Sequence, residues 1–272
     1  MGWHPSPAST MKFSYLAPLA AAVLSGVSSV QAAVVYDGLS NISVLYPALD
    51  TSINPGGSVG NRYLGGALNL ANFSPGDALS GINLRMVNQS GAAIVSSPVR
   101  LNVWLWNSVP LSVGGLAFSN QVGSPGAPTA VFNLGNINLN VNSSIPVAVT
   151  FPTPVVLNPT SGNVVGITLN YQVFNGSTWE SISSVNSGVV GGGSQAAPLV
   201  GSNALGSAPN FAFFRSVNTA TDTTGNFSSA SNRNIGVNSG LPIMLVTVPE
   251  PGTVTLAIGA AAMVFTRRRR NA

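Results

Sequence analysis

The sequence predicts an all-β fold: an antiparallel β-sandwich, jelly-roll-like, with a C-terminal hydrophobic helix in the precursor. Three observations predict it. Short β-rich segments recur along the chain, turn-forming clusters separate them, and no amphipathic helical run of useful length interrupts them. The segments are Ile42–Tyr46, Tyr63–Leu70, Leu79–Val87, Val99–Trp106, Ala130–Val141, Val147–Leu157, Val164–Phe174, Phe211–Val217 and Pro242–Val248. Between them lie clusters such as Asn54-Pro55-Gly56-Gly57, Ser74-Pro75-Gly76-Asp77 and Ser124-Pro125-Gly126. In such clusters Pro presets φ and Gly supplies a positive φ, which is what a tight reversal needs.

Alternation is cleanest in Asn136-Ile137-Asn138-Leu139-Asn140-Val141-Asn142. Side chains on a strand alternate between faces, so Ile137, Leu139 and Val141 are expected on a core and the asparagines outside. Asparagine ladders also occur in β-helices, but no fixed-period repeat accompanies this one. Residues 186–209, rich in Gly, Ser and Ala, and residues 218–240, rich in Ser, Thr and Asn, read as long surface loops or flexible linkers.

Composition narrows the chemistry. The chain has 272 residues, 6% of them charged, with 30 Gly, 19 Pro and no Cys. Globular chains carry about 25% charged residues, yet disorder pairs low hydrophobicity with high charge, and this chain is 45% hydrophobic. The net charge of +4 sits at the ends, in Lys12 and in Arg267, Arg268, Arg269 and Arg270. Within residues 33–248, five arginines balance five acids. A neutral body offers no basic groove for phosphates, so no nucleic acid is expected as a partner.

Without Cys there is no disulfide framework, thiol nucleophile or Cys-ligated metal. The single histidine, His4, precedes the segment read below as a signal peptide. A Ser-His-acid triad and a histidine zinc site are thus out of reach of the mature body. Paired carboxylates of a glycosidase would have to come from five scattered acids: Asp37, Asp50, Asp77, Glu180 and Asp222. The expectation is a protein that is not an enzyme and has no cofactor and no metal. Asp37, Asp50 and Asp77 sit in or beside turns without calcium-loop spacing and read as turn-forming residues. Gly191-Gly192-Gly193 lacks the Gly-Lys-Ser/Thr of a phosphate loop.

The ends are addresses. Lys12, an apolar stretch from Phe13 to Val27, and small residues at Val30 and Ala32 describe a secretory signal peptide cleaved between Ala32 and Ala33. Residues 1–10 then reflect an upstream start, and residues 1–32 leave the exported protein. The C-terminal end reads Val248-Pro249-Glu250-Pro251, an apolar run over 252–266, four arginines and Asn271-Ala272. As a helix that run spans about 22 Å at 1.5 Å per residue, short of the roughly 30 Å hydrocarbon core. The arginine block stays cytoplasmic and stops translocation.

This tripartite ending, Val248 to Ala272, resembles the PEP-CTERM sorting signal of Gram-negative bacteria that export extracellular polysaccharide. The resemblance implies an exosortase as processing partner, acting near Pro249-Glu250-Pro251, with transient residence in the inner membrane through 252–266. It implies export to the cell surface or extracellular matrix. The order Val35-Tyr36-Asp37, Leu79-Ser80-Gly81-Ile82-Asn83-Leu84-Arg85, Val103-Trp104-Leu105-Trp106-Asn107 and Pro154-Val155-Val156-Leu157 is similar to the β-sandwich ectodomains often found ahead of such tails. Three parts follow: residues 1–32, an ectodomain at 33–248, and a sorting signal at 249–272.

One further constellation stands out. Trp104 and Trp106 are two apart on one strand, with Arg100 and Asn102 on the same face. The rings either make a sugar-stacking platform or pack beneath a loop or second sheet, and the high average burial of Trp favours packing. The functional expectation is a secreted, surface-sorted structural or matrix protein tied to extracellular polysaccharide and biofilm. Its rivals are a carbohydrate-binding module using the Trp face and, third, a secreted glycan hydrolase.

Overall fold

The computed structural model describes residues 32–41, 61–88, 93–109, 118–141, 143–181, 197–204, 213–217, 225, 232–234 and 241–248. Residues 32–248 form one compact unit. The predicted strand Ile42–Tyr46, the turn at Asn54–Gly57, Asp50, and the two chain ends with the apolar runs and arginine block lie outside the described residues.

The described residues form thirteen strands in chain order: β1 (Val34–Asp37), β2 (Asn61–Asn69), β3 (Ala78–Asn88), β4 (Ile94–Ser108), β5 (Ser119–Gln121), β6 (Ala130–Leu139), β7 (Ser143–Val156), β8 (Val164–Phe174), β9 (Trp179–Ser181), β10 (Ser202–Asn203), β11 (Phe213–Val217), β12 (Asn232–Asn234) and β13 (Ile243–Thr247). They make two antiparallel sheets, the all-β sandwich that the alternation predicts. The smaller sheet runs β1-β13-β3-β7. The larger runs β12-β11-β2-β8-β4-β5, with β6 also on β4, β9 on β8 and β10 on β2. Among the described residues there is no helix, and none long and apolar enough to cross a membrane.

The core lies between the sheets and follows from period-2 patterning. On β8, Val165, Ile167, Leu169 and Tyr171 face inward, and on β4, Val99, Leu101, Val103 and Leu105 do the same. Ile82, Leu84 and Met86 of β3 and Ile243 and Leu245 of β13 close the core from the smaller sheet. A register shift between Leu79 and Gly81 lets β3 keep Leu79 buried despite a changed spacing.

The turn at Ser74-Pro75-Gly76-Asp77 forms as its residues dictate. The Asp77 N–H donates to the Ser74 carbonyl at 2.9 Å, and Gly76 takes a φ of 100°, the type II geometry with Pro then Gly. The Asp77 carboxylate accepts from the Ser74 N–H at 2.7 Å. Ser124-Pro125-Gly126 repeats the device, and the Gln121 amide clasps it through Ser124, Gly126 and Ala127.

Three expectations need correction. The asparagine alternation runs through Leu139, which is buried, and Ile137, half-buried, but Val141 is exposed because the chain turns after β6 ends. Part of 186–209 is built into the sandwich: Asp37 and Leu199–Val200 exchange backbone bonds, and β10 pairs with β2. Part of 218–240 is likewise placed, with β12 on β11 and Gly225 buried.

Candidate functional site

The outer face of the larger sheet carries the tryptophan constellation. Antiparallel pairing sets Arg100 opposite Gln172, Asn102 opposite Asn170, Trp104 opposite Thr168 and Trp106 opposite Gly166. The four β4 residues share one face, as their spacing requires. That face is covered. Trp104 is 2% exposed and Trp106 4%. The two rings form a second apolar cluster with Tyr63, Ala67, Val109 and Phe118. Tyr63 meets the Trp104 ring edge-on at 5.5 Å, and Phe118 lies 5.9 Å from Trp106. The Trp106 Nε1–H donates to Thr168 Oγ1 at 3.2 Å. Of the two readings of Trp104 and Trp106, the rings take the packing one that their average burial favours, and they offer no open stacking face.

The polar end of the face is a half-buried hydrogen-bonded network. The Arg100 Nε–H donates to Gln172 Oε1 at 2.6 Å, and its guanidinium lies 4.6 Å from the centroid of the Trp179 ring. Desolvation there pulls the Arg100 pKa below its usual value. Asn102 Nδ2 donates to both Asn170 Oδ1 at 3.2 Å and Gln172 Oε1 at 3.0 Å. Asn102 Oδ1 and the Trp104 Nε1–H are buried without hydrogen-bond partners among the described residues. Sequence reasoning missed Gln172, Thr168 and Trp179 as neighbours. The polar alternation of β8 marks their face, but only the pairing register sets them against β4.

Asp37 and Asp77 do as turn residues do. Asp37 is buried, and its Oδ1 accepts from the N–H groups of Leu39 and Ser40 at 2.9 and 2.8 Å. Among the described residues, no group of three or more His, Cys, Asp or Glu is placed to hold a metal ion.

The C-terminal end of the body has the more distinctive geometry. β13 is the last strand among the described residues yet lies inside its sheet, with β1 on one side and β3 on the other. Val34 pairs with Val246, and the Ala33 carbonyl accepts from both the Thr247 N–H at 2.9 Å and the Thr247 hydroxyl at 3.3 Å. One residue on, the Val248 N–H donates to the Ala78 carbonyl at 2.9 Å. The ladder therefore runs up to the residue before Pro249.

Comparison with protein-family models finds a match over residues 247–270, to the PEP-CTERM protein-sorting motif. This chain carries a PEP-CTERM sorting signal. It marks an exported protein that an exosortase processes. No curated protein and no solved structure matches the chain. The motif overlaps the folded body: Thr247, its first matched residue, ends β13 and is buried. Pro249, Glu250, Pro251 and Arg267–Arg270 lie outside the described residues, and Ala32 and Ala33, at the expected signal cleavage, are exposed.

Proposed function

We propose that this protein is a secreted, surface-sorted structural or matrix component that associates with extracellular polysaccharide in a biofilm. The PEP-CTERM motif at residues 247–270 carries the reading. A neutral, Asn-, Ser- and Gly-rich β-sandwich supports it, because such a body neither repels nor ion-exchanges with a hydrated glycan. The exported form begins at Ala33 after loss of residues 1–32, and the role is non-catalytic. The apolar run 252–266 holds the precursor in the inner membrane until the exosortase acts. A glycan module built on Trp104 and Trp106 draws no support from a face whose rings are buried.

The test is to replace Glu250 with Ala in the full-length precursor, in a host with its exosortase. The altered chain is expected to keep its arginine tail and stay in the membrane fraction, while the parent reaches the surface with its polysaccharide. Equal processing and location would favour a plain membrane anchor, which ignores that side chain. Correct sorting without co-fractionation with polysaccharide would leave the sorting reading and remove the matrix one.

A further inference from the structure

The sorting motif and the folded body share residues. Thr247 and Val248 fall inside the matched stretch, and both are tied down, Thr247 to Ala33 just before β1 and Val248 to Ala78 at the start of β3. A processing enzyme that binds its substrate in extended form takes up backbone groups on both sides of the bond it cuts, as strand addition does. On the N-terminal side of Pro249 those groups belong to Val246, Thr247 and Val248. Here they already serve the sheet.

We propose that Val246–Val248 is the enzyme-facing segment N-terminal to the Pro249-Glu250-Pro251 motif, and that β1 holds it back, so that C-terminal processing requires this end of β13 to fray from Ala33 and Ala78. The inference rests on the exosortase reading of the motif. β1 and the enzyme are thus alternative partners for Val246–Val248, the end of β13 and the residue after it: while the Ala33 carbonyl holds Thr247, the enzyme cannot pair with it. Thr247 is the governing residue because it makes two of the three bonds, backbone and hydroxyl, that tie Thr247 and Val248 to Ala33 and Ala78. Three bonds of ordinary net strength slow access by roughly tenfold or more.

The chain has no Cys, so an introduced pair forms a single, known disulfide. Val34 and Val246 stand directly opposite across the strand pair, where antiparallel Cα atoms lie about 4.5–5.5 Å apart, within disulfide range. The experiment places Val34→Cys with Val246→Cys in the full-length precursor and follows loss of the C-terminal tail by pulse-chase in the exosortase host. The expected result is an oxidised precursor that keeps its tail, with processing restored by reductant. A second variant inserts four Gly/Ser residues between Val248 and Pro249, leaving the body's sequence intact; processing is expected to speed by about tenfold.

A disulfide-locked precursor processed at the parent rate overturns the proposal, and so does a spacer that changes nothing. Glu250→Ala in the same cells separates the two readings. If that variant is blocked while the locked chain is processed freely, only the fraying proposal fails. If it is processed like the parent, the exosortase reading fails first.

Discussion

Gly225 lies against the face of the Trp104 indole: a Cβ built on Gly225 would stand 2.5 Å from Cδ2 and 2.8 Å from Cε2 of that ring. Gly225 also has a φ of 64°, a left-handed conformation that side chains other than glycine resist. The covering of the tryptophan face thus depends on a residue without a side chain. Gly225→Ala is expected to destabilise the body by about 1–3 kcal/mol through backbone conformation and contact with the ring. It should also raise the solvent accessibility of Trp104, read as increased acrylamide quenching of its fluorescence. Unchanged stability and quenching would mean the ring is not held by this contact.

Trp104 and Trp106 are expected to behave as packing residues under truncation. Each replacement by Ala should cost about 3–5 kcal/mol, and the double replacement should unfold the body in urea far below the parent midpoint. A folded double variant that retains polysaccharide binding would contradict their placement in the buried cluster. A folded variant that loses binding would instead revive the stacking platform.

Tyr171 and Tyr36 predict opposite outcomes for the same change. Tyr171 is buried in the core with its hydroxyl lacking a partner among the described residues, beside a small cavity lined by Leu64, Leu84, Arg85, Leu169, Pro242 and Ile243. Tyr171→Phe removes that unsatisfied group and is expected to be neutral or to stabilise by about 1 kcal/mol. The Tyr36 hydroxyl is partnered, reaching Asn203 Oδ1 at 3.4 Å and bonding with the Leu241 backbone. Tyr36→Phe should therefore cost about 1 kcal/mol. Denaturation midpoints of the two variants check the sign of each.

The same two phenols set an alkaline limit. Burial pushes both pKa values above the ordinary range near 10. For Tyr36 desolvation is the largest cause, with the Leu241 bond opposing and Asp37 adding a smaller upward push. A raised folded pKa favours the protonated form, so this stability is fully present below the unfolded value of about 10 and is lost as pH rises above it. With both phenols still protonated in the folded body, the fall in stability should steepen above pH 10 toward about 3 kcal/mol per pH unit. Stability measured from pH 8 to 11 should be flat and then drop. A flat profile to pH 11 would show that the unfolded chain gains nothing by deprotonating them.

Calcium removal is expected to leave the melting temperature unchanged, because the carboxylates of Asp37 and Asp77 are already occupied by backbone N–H groups at 2.7–2.9 Å. Asp77→Ala should instead cost about 1–3 kcal/mol, the worth of a hydrogen bond to a charged group. A melting temperature that drops on chelation would point to an ion at these turns.

What the sequence determined by itself was local. The Pro-Gly pair at 75–76 dictates its turn, since φ preferences belong to single residues. The alternation in Val164–Phe174 and Val99–Trp106 sets which side chains share a face, because the strand period is a property of the backbone. The PEP-CTERM tail reads directly, since a contiguous address needs no folding to be recognised. Tertiary structure decided everything that depends on distant chain. The spacing of Arg100, Asn102, Trp104 and Trp106 says they lie together but not what lies above them, and Tyr63, Phe118 and Gly225 come from other parts of the sequence. β1, four residues long, and the strands β5, β9, β10 and β12, shorter still, carry too little pattern to stand out, and exist because an edge was there to pair with. Likewise the segment Pro242–Val248 reads as a strand, but only β1 and β3, closing on either side of β13, decide that Thr247 is buried. Burial and pairing belong to the partner as much as to the strand, and the partner is chosen by the fold.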